Sequence, residues 1–225
     1  AKHRWGGWSH DGERFAFSSN RRDEAVFDIY VQGRDETGDD ARRVHEGDGW
    51  LSVGGWSPDD DRLLVTEAHS NFDQDVYVFD IETGDLTHLT PHDGDVRYQS
   101  VQWGPDGDGL YLVTDDGSDT LYLARLDLVS GDIETVHDGG DWNVDGVAVD
   151  DESGLIAYSR NVDGYTELTL GEIAGPTAIE ELLTPDLPGD VAGGVSFGPN
   201  GNAVALSASG RSLNTNVYVL DVTHL

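Results

Sequence analysis

Short apolar runs of strand length, separated by polar turns, recur along the whole chain. In the cleanest stretch, Leu51–Trp56 is followed by three further runs at 62–66, 75–80 and 86–90, which are rich in β-branched and aromatic residues. These runs either alternate apolar and polar positions or are wholly apolar, and none keeps a 3.6-residue period over the length of a helix. The pattern predicts four short antiparallel strands in this stretch and few or no helices in the chain.

This four-run pattern repeats every 46 to 48 residues. The first run of each unit ends at an apolar anchor followed by a turn phrase of the type Trp-Ser-Pro-Asp-Asp, and the fourth copy of the phrase is degenerate. The anchors are Trp8, Trp56, Trp103, Val149 and Phe197. A third-strand tyrosine also recurs in what we expect to be one register, at Tyr30, Tyr77, Tyr122 and Tyr218. Four short strands at this period predict an all-β fold, a β-propeller of four-stranded antiparallel blades.

The repeat predicts a single domain over residues 1–225 with about five blades. The approximate units are 4–47, 50–94, 97–140, 143–189 and 192–225, and the fifth lacks its outer strand. Two interpretations stay open. Either the chain is a segment of a larger propeller, with further blades upstream and a catalytic domain downstream, or it forms a closed five-bladed ring.

The repeat resembles the propeller repeats of TolB-type proteins. It shares their turn phrase, a third strand of the type Ile/Val-Tyr-Val, and a second strand that ends in an apolar residue followed by Ser or Thr, as in Val65-Thr66. Residues 5–30 and 159–168 are most similar to the N-terminal propellers of archaeal peptidases of the prolyl oligopeptidase and acylaminoacyl-peptidase family. The resemblance covers essentially the whole chain and implies the architecture more specifically than the function.

Two functions follow from this resemblance, and a third stays open. The first is a non-catalytic propeller that gates or positions peptide substrates for the α/β-hydrolase domain of a serine peptidase, with that domain absent from this chain. The second is a TolB-like propeller that binds other proteins and has no enzymatic partner domain. A five-bladed glycosidase would need inward-facing carboxylates at a defined separation, which a chain so rich in acid can neither show nor exclude.

The charge of the chain is strongly negative and dispersed. Forty-four acidic residues face thirteen basic ones, giving a formal net charge of −31, and Lys2 is the only lysine. The composition resembles that of proteins from extreme halophiles, so we expect a cytoplasmic protein that loses stability at low salt, where its surface charges repel one another. Without a Lys/Arg footprint, a nucleic-acid partner is not expected.

Other sequence features narrow the chemistry further. The chain has no cysteine, so disulfides and thiolate metal sites are excluded. It has no apolar stretch of the length that a membrane span needs, and no membrane partner is expected. No cofactor, metal site or catalytic residue is predicted. The expected partners are a hydrolase domain or another protein, and a peptide substrate.

Two motif matches are interpreted as coincidences of the repeat. Gly194-Val-Ser196-Phe-Gly198 has the spacing of a serine nucleophile elbow, but the repeat places Ser196 inside an innermost strand instead of a strand-to-helix turn. Residues 141–152 have the spacing of an EF-hand calcium loop, but the repeat places 147–149 in an innermost strand. Neither motif has the structural context that its chemistry requires.

Three arginines are candidate contacts at the rim of the propeller. Arg21, Arg22 and Arg160 are predicted in loops between second and third strands, where they would bind a carboxylate or a peptide C-terminus. The alternative, which we favour, is a salt bridge to nearby acid such as Asp23 or Asp163.

Two further groups of residues are interpreted as structural. Glu180 and Glu181 resemble the acidic pair that holds a substrate amine in some propeller peptidases, but they precede a strand and lack that pair's helix. His88 and His92 have a helical metal-ligand spacing on a strand and turn, and His137 adds no such spacing.

Overall fold

The computed structural model describes residues 1–198 and 201–223. Pro199 and Asn200, which belong to the fifth turn phrase, lie outside the described residues, as do His224 and Leu225. The described residues form β-strands joined by turns and loops and contain no α-helix. They also contain no helix whose length and apolar character would allow it to cross a membrane. The chain divides into two compact units, Ala1–Tyr98 and Gln99–Leu225. The single domain expected from the repeat stays a prediction.

The first unit holds two four-stranded antiparallel sheets, each with its strands in sequence order. Blade 1 consists of β1 (His3–Trp8), β2 (Arg14–Ser19), β3 (Asp28–Gly33) and β4 (Arg42–His45). Blade 2 consists of β5 (Leu51–Trp56), β6 (Arg62–Ser70), β7 (Asp73–Asp80) and β8 (Leu86–His88). The β6–β7 hairpin extends well beyond the predicted runs because polar residues continue the ladder up to the pair Ser70 and Asp73.

The second unit holds three antiparallel sheets. Blade 3, whose first strand begins at the unit boundary, consists of β9 (Tyr98–Trp103), β10 (Gly109–Thr114), β11 (Tyr122–Asp127) and β12 (Ile133–His137). Blade 4 consists of β13 (Val144–Asp150), β14 (Leu155–Val162), β15 (Tyr165–Gly175) and β16 (Ala178–Leu183). Blade 5 consists of β17 (Val191–Phe197), β18 (Ala203–Gly210) and β19 (Leu213–Asp221). The predicted all-β fold, with four-stranded blades and a last blade of three strands, is confirmed.

The turn phrase at the start of each second strand is held by the same hydrogen bonds in blades 1 and 2. Ser9 Oγ donates to Asp11 Oδ1 at 2.6 Å and accepts the backbone N–H of Arg14 at 3.0 Å. Ser57 makes the equivalent contacts with Asp59 and the backbone N–H of Arg62. Serine at this position therefore satisfies a backbone donor where the chain reverses direction.

Within each unit, consecutive blades pack through alternate residues of their second strands. In the first unit, Leu63 and Val65 of β6 pack on Ala16 of β2, and both sets are fully buried or nearly so. We call the side of a blade that carries Leu63 and Val65 its leading side, and the opposite side its trailing side. In the second unit the same register recurs, with the leading sides of blades 4 and 5 packed on the trailing sides of blades 3 and 4.

A bulge in the innermost strand allows blades 1 and 2 to approach closely. The register of β1 shifts between Trp5 and Gly7, and Gly7 has a φ of +108°. A Cβ on Gly6 would lie 2.5 Å from the Cβ of Val53 in blade 2, so no larger residue fits there without movement. The indole N–H of Trp56 donates to the carbonyl of Gly7 at 3.0 Å, which joins the anchor of blade 2 to the bulge of blade 1.

The recurrent tyrosines share one register in three blades. Tyr30 lies opposite Phe17, and Tyr77 lies opposite Val65 at the equivalent position of blade 2. Tyr218 keeps this register in blade 5. The prediction was wrong for Tyr122, which lies opposite Thr114 and is displaced by two residues on the same side of its strand.

Candidate functional site

Arg22, one of the predicted rim contacts, lies in the loop between β2 and β3 and forms an ion pair with a buried carboxylate. Its Nε and Nη2 donate to the carboxylate of Asp28 over 2.9 to 3.1 Å, and Nη2 also donates to the carbonyl of Gly47 at 2.6 Å. Asp28 is fully buried. Burial alone would raise the pKa of this carboxyl, but the hydrogen bonds from Arg22 and from the backbone of Gly47 hold it below the usual value. A structural salt bridge is therefore present, with Asp28 of β3 as the main partner and Glu46, in the loop after β4, 3.5 Å from Arg22 Nη1.

The other two candidate arginines lie in different settings. Arg21 is in the predicted loop, and its guanidinium lies over the ring of Tyr30 at 4.3 Å, on the exposed surface. The prediction that Arg160 lies in a loop was wrong, because Arg160 is within β14 and directly opposite Glu167 of β15. Its Nη2 lies 2.7 Å from Glu167 Oε2. A role in binding substrate stays a prediction for all three.

The serine motif belongs to the strand architecture of blade 5. Ser196 lies in β17, opposite Ala205 of β18. Gly194 has a φ of +62° at the bulge of this strand, and Gly198 donates its N–H to the carbonyl of Ala203 as part of the blade's turn. Both glycines of the motif thus have structural positions that recur in other blades, and the strand position predicted for Ser196 is confirmed.

The EF-hand match and the acidic pair also fall on strands. Residues 144–150 form β13, so the predicted strand at 147–149 is confirmed and the segment does not wrap as a calcium loop. Burial raises the pKa of Asp145 within this strand. Glu180 and Glu181 lie in β16, where Glu181 Oε1 accepts a hydrogen bond from the hydroxyl of Tyr158 at 2.7 Å.

The leading side of blade 1 is an exposed aromatic surface. Trp5 and Trp8 are 58% and 48% exposed and pack edge to face at 5.7 Å. Phe15 stacks on Trp5, and Phe17 stacks on Phe15 at 6.0 Å. An open cavity of about 610 Å³ lies against this surface, and it is also lined by the basic residues His3, Arg4 and Arg21.

A second group of polar side chains lies on blade 2, at the end of the sheet near the β6–β7 turn. We call it the blade 2 cluster, and it consists of Glu67, His69, Asp73, Asp75, His88 and His92. Asp75 lies at its centre with only 9% of its surface exposed. Its Oδ2 lies 2.8 Å from His69 Nε2, and its Oδ1 lies 2.8 Å from His88 Nε2. An open cleft of about 370 Å³ gives solvent access to the cluster.

Strand register brings a second carboxylate to the same place. Glu67 of β6 lies directly opposite Asp75 of β7, and ligand atoms of Glu67, His69 and Asp75 lie within 4.8 Å of one another. The hydroxyl of Tyr77 donates to Glu67 Oε2 at 3.2 Å. Burial, reinforced by the charges of Asp75 and Glu67, raises the pKa of this hydroxyl, so it is a hydrogen-bond donor at all ordinary pH values.

His92 forms the other half of the cluster. Its Nδ1 lies 2.8 Å from the carbonyl of Thr90, and its Nε2 lies 3.0 Å from Asp73 Oδ1. Because both partners are acceptors, the geometry fits an imidazolium that donates from both nitrogens. Burial opposes this charge, but the bonds to Thr90 and Asp73 prevail and raise the pKa of His92. The hydrogen bond to Asp75 likewise raises the pKa of His69.

The cluster was missed in the sequence because its members are spread over three strands and a turn. Linear spacing singled out His88 and His92, which is a helical criterion that does not apply to a sheet. The sequence does contain one signal for the cluster. Two pairs of polar residues alternate along consecutive strands, Glu67 with His69 on β6 and Asp73 with Asp75 on β7. Alternation places each pair on one side of its strand.

Comparison with known protein sequences gives a match over a short segment of the chain. No protein family model matches the chain. Over 69 residues it is 32% identical to a probable dipeptidyl-aminopeptidase B from Neurospora crassa, which covers 29% of this chain and 7% of that protein. The chain therefore corresponds to a small part of the relative's length.

Solved structures of the same fold match nearly the whole chain. A prolyl endopeptidase matches 96% of it with a TM-score of 0.75 at 17% identity, and prolyl oligopeptidase B from Galerina marginata matches 97% with a TM-score of 0.74 at 13% identity. TolB from Acinetobacter baumannii matches 99% with a TM-score of 0.66 at 18% identity. The chain spans 33% and 32% of the two peptidases and 52% of TolB. The fold of this chain is thus the β-propeller fold that prolyl oligopeptidases and TolB proteins share.

Proposed function

We propose that this chain is a non-catalytic propeller module that gates or positions peptide substrates for the α/β-hydrolase domain of a serine peptidase. The observation that carries the proposal is the match of nearly the whole chain to about one third of each of two peptidases. The short sequence match to a dipeptidyl-aminopeptidase supports the same family of enzymes. In this role the chain supplies access control and the hydrolase domain supplies the chemistry.

The candidate residues of this chain have structural contacts, as a non-catalytic module would require. Ser196 of the G-x-S-x-G match is paired within a sheet, and the candidate Arg22 is committed to an ion pair with the buried carboxylate of Asp28. The blades are built from rigid hydrogen-bonded hairpins, so a peptide would have to pass between or along fixed walls. In the proposed role, short or unfolded peptides are the substrate class that the module admits.

The charge of the module adds a preference among peptides. With a formal net charge of −31, it attracts cationic peptides and repels acidic ones, most strongly at low ionic strength. At molar salt the Debye length falls to about 3 Å and the preference weakens. Selection by size persists under those conditions, because it depends on shape.

The test begins with the gene that encodes this chain. We expect its reading frame to continue into a hydrolase domain with a G-x-S-x-G nucleophile motif followed by Asp and His. The full enzyme should cleave a short quenched-fluorescence peptide but spare the same sequence inside a folded domain, and the isolated hydrolase domain should cleave both. A reading frame without a hydrolase, or equal selectivity with and without the propeller, would refute the proposal.

A TolB-like binding propeller is the second candidate. TolB from Acinetobacter baumannii matches 99% of the chain, and exposed apolar side chains suited to protein contacts are present, including Trp5 and Val217. A stop codon directly after the propeller, together with an export signal and a small additional domain, would favour this function over the peptidase module.

A further inference from the structure

Two carboxylates in the blade 2 cluster are placed where they repel each other. Glu67 and Asp75 are directly opposite on β6 and β7, and like charges in this position destabilise a sheet. Both strands belong to a long hairpin whose pairing is regular from Arg62–Asp80 to Ala68–Gln74 and shifts register before the last pair, Ser70–Asp73. The carboxylates cannot separate without breaking that ladder, so a positive charge between them would relieve the repulsion.

His69 completes a set of three ligand atoms at this point. It lies two residues after Glu67 on β6, at the register shift near the end of the hairpin, and its Nε2 faces Asp75 Oδ2 at 2.8 Å. Ligand atoms of Glu67, His69 and Asp75 all lie within 4.8 Å of one another. In a tetrahedral zinc site, with bonds of about 2.0–2.2 Å, ligand atoms are separated by about 3.3 Å. The His69 side chain is 43% exposed, so we expect its ring to turn by the small amount that this separation needs.

The two carboxylates are held in place by neighbouring groups. His88 Nε2 lies 2.8 Å from Asp75 Oδ1, which leaves Oδ2 directed at His69. Tyr77 donates its hydroxyl to Glu67 Oε2. Glu67 also lies against Gly49, where a Cβ would come within 1.7 Å of Oε1, so the absence of a side chain at position 49 gives the carboxylate its place. Hydrogen bonds of this kind orient the ligands of metal sites.

We propose that Glu67, His69 and Asp75 bind a divalent first-row transition metal ion of the zinc class on blade 2. One imidazole nitrogen with two carboxylate oxygens is a donor set that suits zinc, and the open cleft that His69 and Asp75 line gives solvent access to the site. The ion takes the place of the proton between His69 Nε2 and Asp75 Oδ2. A neutral imidazole moves that proton to Nδ1, and a cationic one releases a proton to solvent.

The ion would cross-link β6 and β7 at the exposed end of their hairpin. It neutralises the opposed carboxylates and joins two strands at the point where the ladder is most polar. His92 is not a ligand in this assignment, because its nitrogens are directed at Thr90 and Asp73. This site is independent of the proposed peptidase function, since it needs only the described residues of one blade.

The test is isothermal titration of the chain with ZnCl₂, after removal of metals with EDTA and in molar KCl with a buffer that does not bind metals. We expect saturation at one equivalent. The variant His69→Gln should bind at least tenfold more weakly, and His88→Gln about tenfold more weakly because it only orients Asp75. The control variant His137→Gln alters a histidine of blade 3 and should bind as the unmodified chain does.

Three results would overturn the assignment. They are no stoichiometric binding, equal binding by the chain and by His69→Gln, and displacement of zinc by excess Ca²⁺, which would indicate a general acidic surface. Melting curves of the metal-free chain and of His69→Gln under the titration conditions show whether both are folded, so that a loss of binding is not attributed to unfolding. Substitution with Co²⁺ supplies a second readout, since tetrahedral coordination through His69 gives visible absorption that the variant should lack.

Discussion

The ion pair between Arg22 and Asp28 should be the most costly of the described salt bridges to break from its arginine side. Asp28 is fully buried, whereas the Arg22 side chain is 32% exposed. Replacing Arg22 with methionine keeps much of the apolar stem and removes the three charged hydrogen bonds from Nε and Nη2 to the carboxylate. Breaking a buried pair from one side costs about 3–5 kcal/mol. Arg43 lies 3.5 Å from Asp28 and partly compensates, so we expect a loss of about 2–3 kcal/mol in the free energy of unfolding.

Arg160→Met is the matched control. The Arg160–Glu167 pair has a shorter distance, 2.7 Å, but both side chains are more than a quarter exposed, and such surface pairs contribute about 0–1 kcal/mol. Urea unfolding in molar KCl, followed by tryptophan fluorescence, measures both variants under one condition. The variant Asp28→Asn provides a double-mutant cycle, in which Arg22→Met should cost much less when the buried charge is already gone.

The same pair sets an acid limit to stability. Because the folded-state pKa of Asp28 is lowered, its contribution is fully present above the unfolded value of about 3.9 and is lost as the pH falls through the folded value. Arg22→Met should therefore move the midpoint of acid unfolding to higher pH. If Arg22→Met cost no more than Arg160→Met, or left the acid midpoint unchanged, the reasoning that burial decides the strength of this pair would be refuted.

Three further predictions follow from composition, packing and strand register. The melting temperature should rise steeply between about 0.1 and 3 M KCl as the acidic surface is screened, and a flat curve would contradict this. Gly6→Ala should destabilise the chain by about 1–3 kcal/mol in urea unfolding because its Cβ meets Val53, while Gly38→Ala, with open space around it, should be nearly neutral. A fluorophosphonate probe should leave Ser196 unlabelled, and labelling there by mass spectrometry would contradict its position inside β17.

The sequence predicts the blades well because their signals are local. An apolar anchor, a serine that satisfies a turn and a short β-branched run are each read within a few residues, as at Trp56, Ser57 and residues 62–66. What these signals do not show is how far a hairpin continues once its residues become polar. The β6–β7 hairpin runs on to Ser70 and Asp73 through side chains that face solvent and carry no apolar signal.

The unpredicted length of the hairpins explains why the sequence did not indicate the blade 2 cluster and why Arg160 was predicted in a loop. Residues predicted as loop are strand, so Glu67 gains a defined partner across the ladder, and Arg160 lies in β14 opposite Glu167. Contacts between adjacent strands depend on register, and register is known only when the hairpin's end is known. Polar clusters at the exposed ends of blades are therefore the features that are hardest to predict from the sequence.

Register also decides how the aromatic surface of blade 1 should be interpreted. Phe15 and Phe17 occupy the positions of Leu63 and Val65 in blade 2, which pack on the preceding blade and are fully buried. Trp8 corresponds in the same way to Trp56, whose indole donates to a bulge carbonyl of the preceding blade.

Trp8 and Phe15 thus have buried counterparts one repeat later, Trp56 and Leu63, which pack between blades. The cavity of about 610 Å³ beside Trp5 lies against this side of the blade. Large aromatic residues on a leading side match the contact between blades, whereas a binding site would need polar groups that converge on the cavity and are not used by the fold. Arg21, the candidate nearest to it, lies over the ring of Tyr30. The aromatic surface is therefore best explained as the side of a blade, which leaves the blade 2 cluster as the stronger candidate for a ligand in this chain.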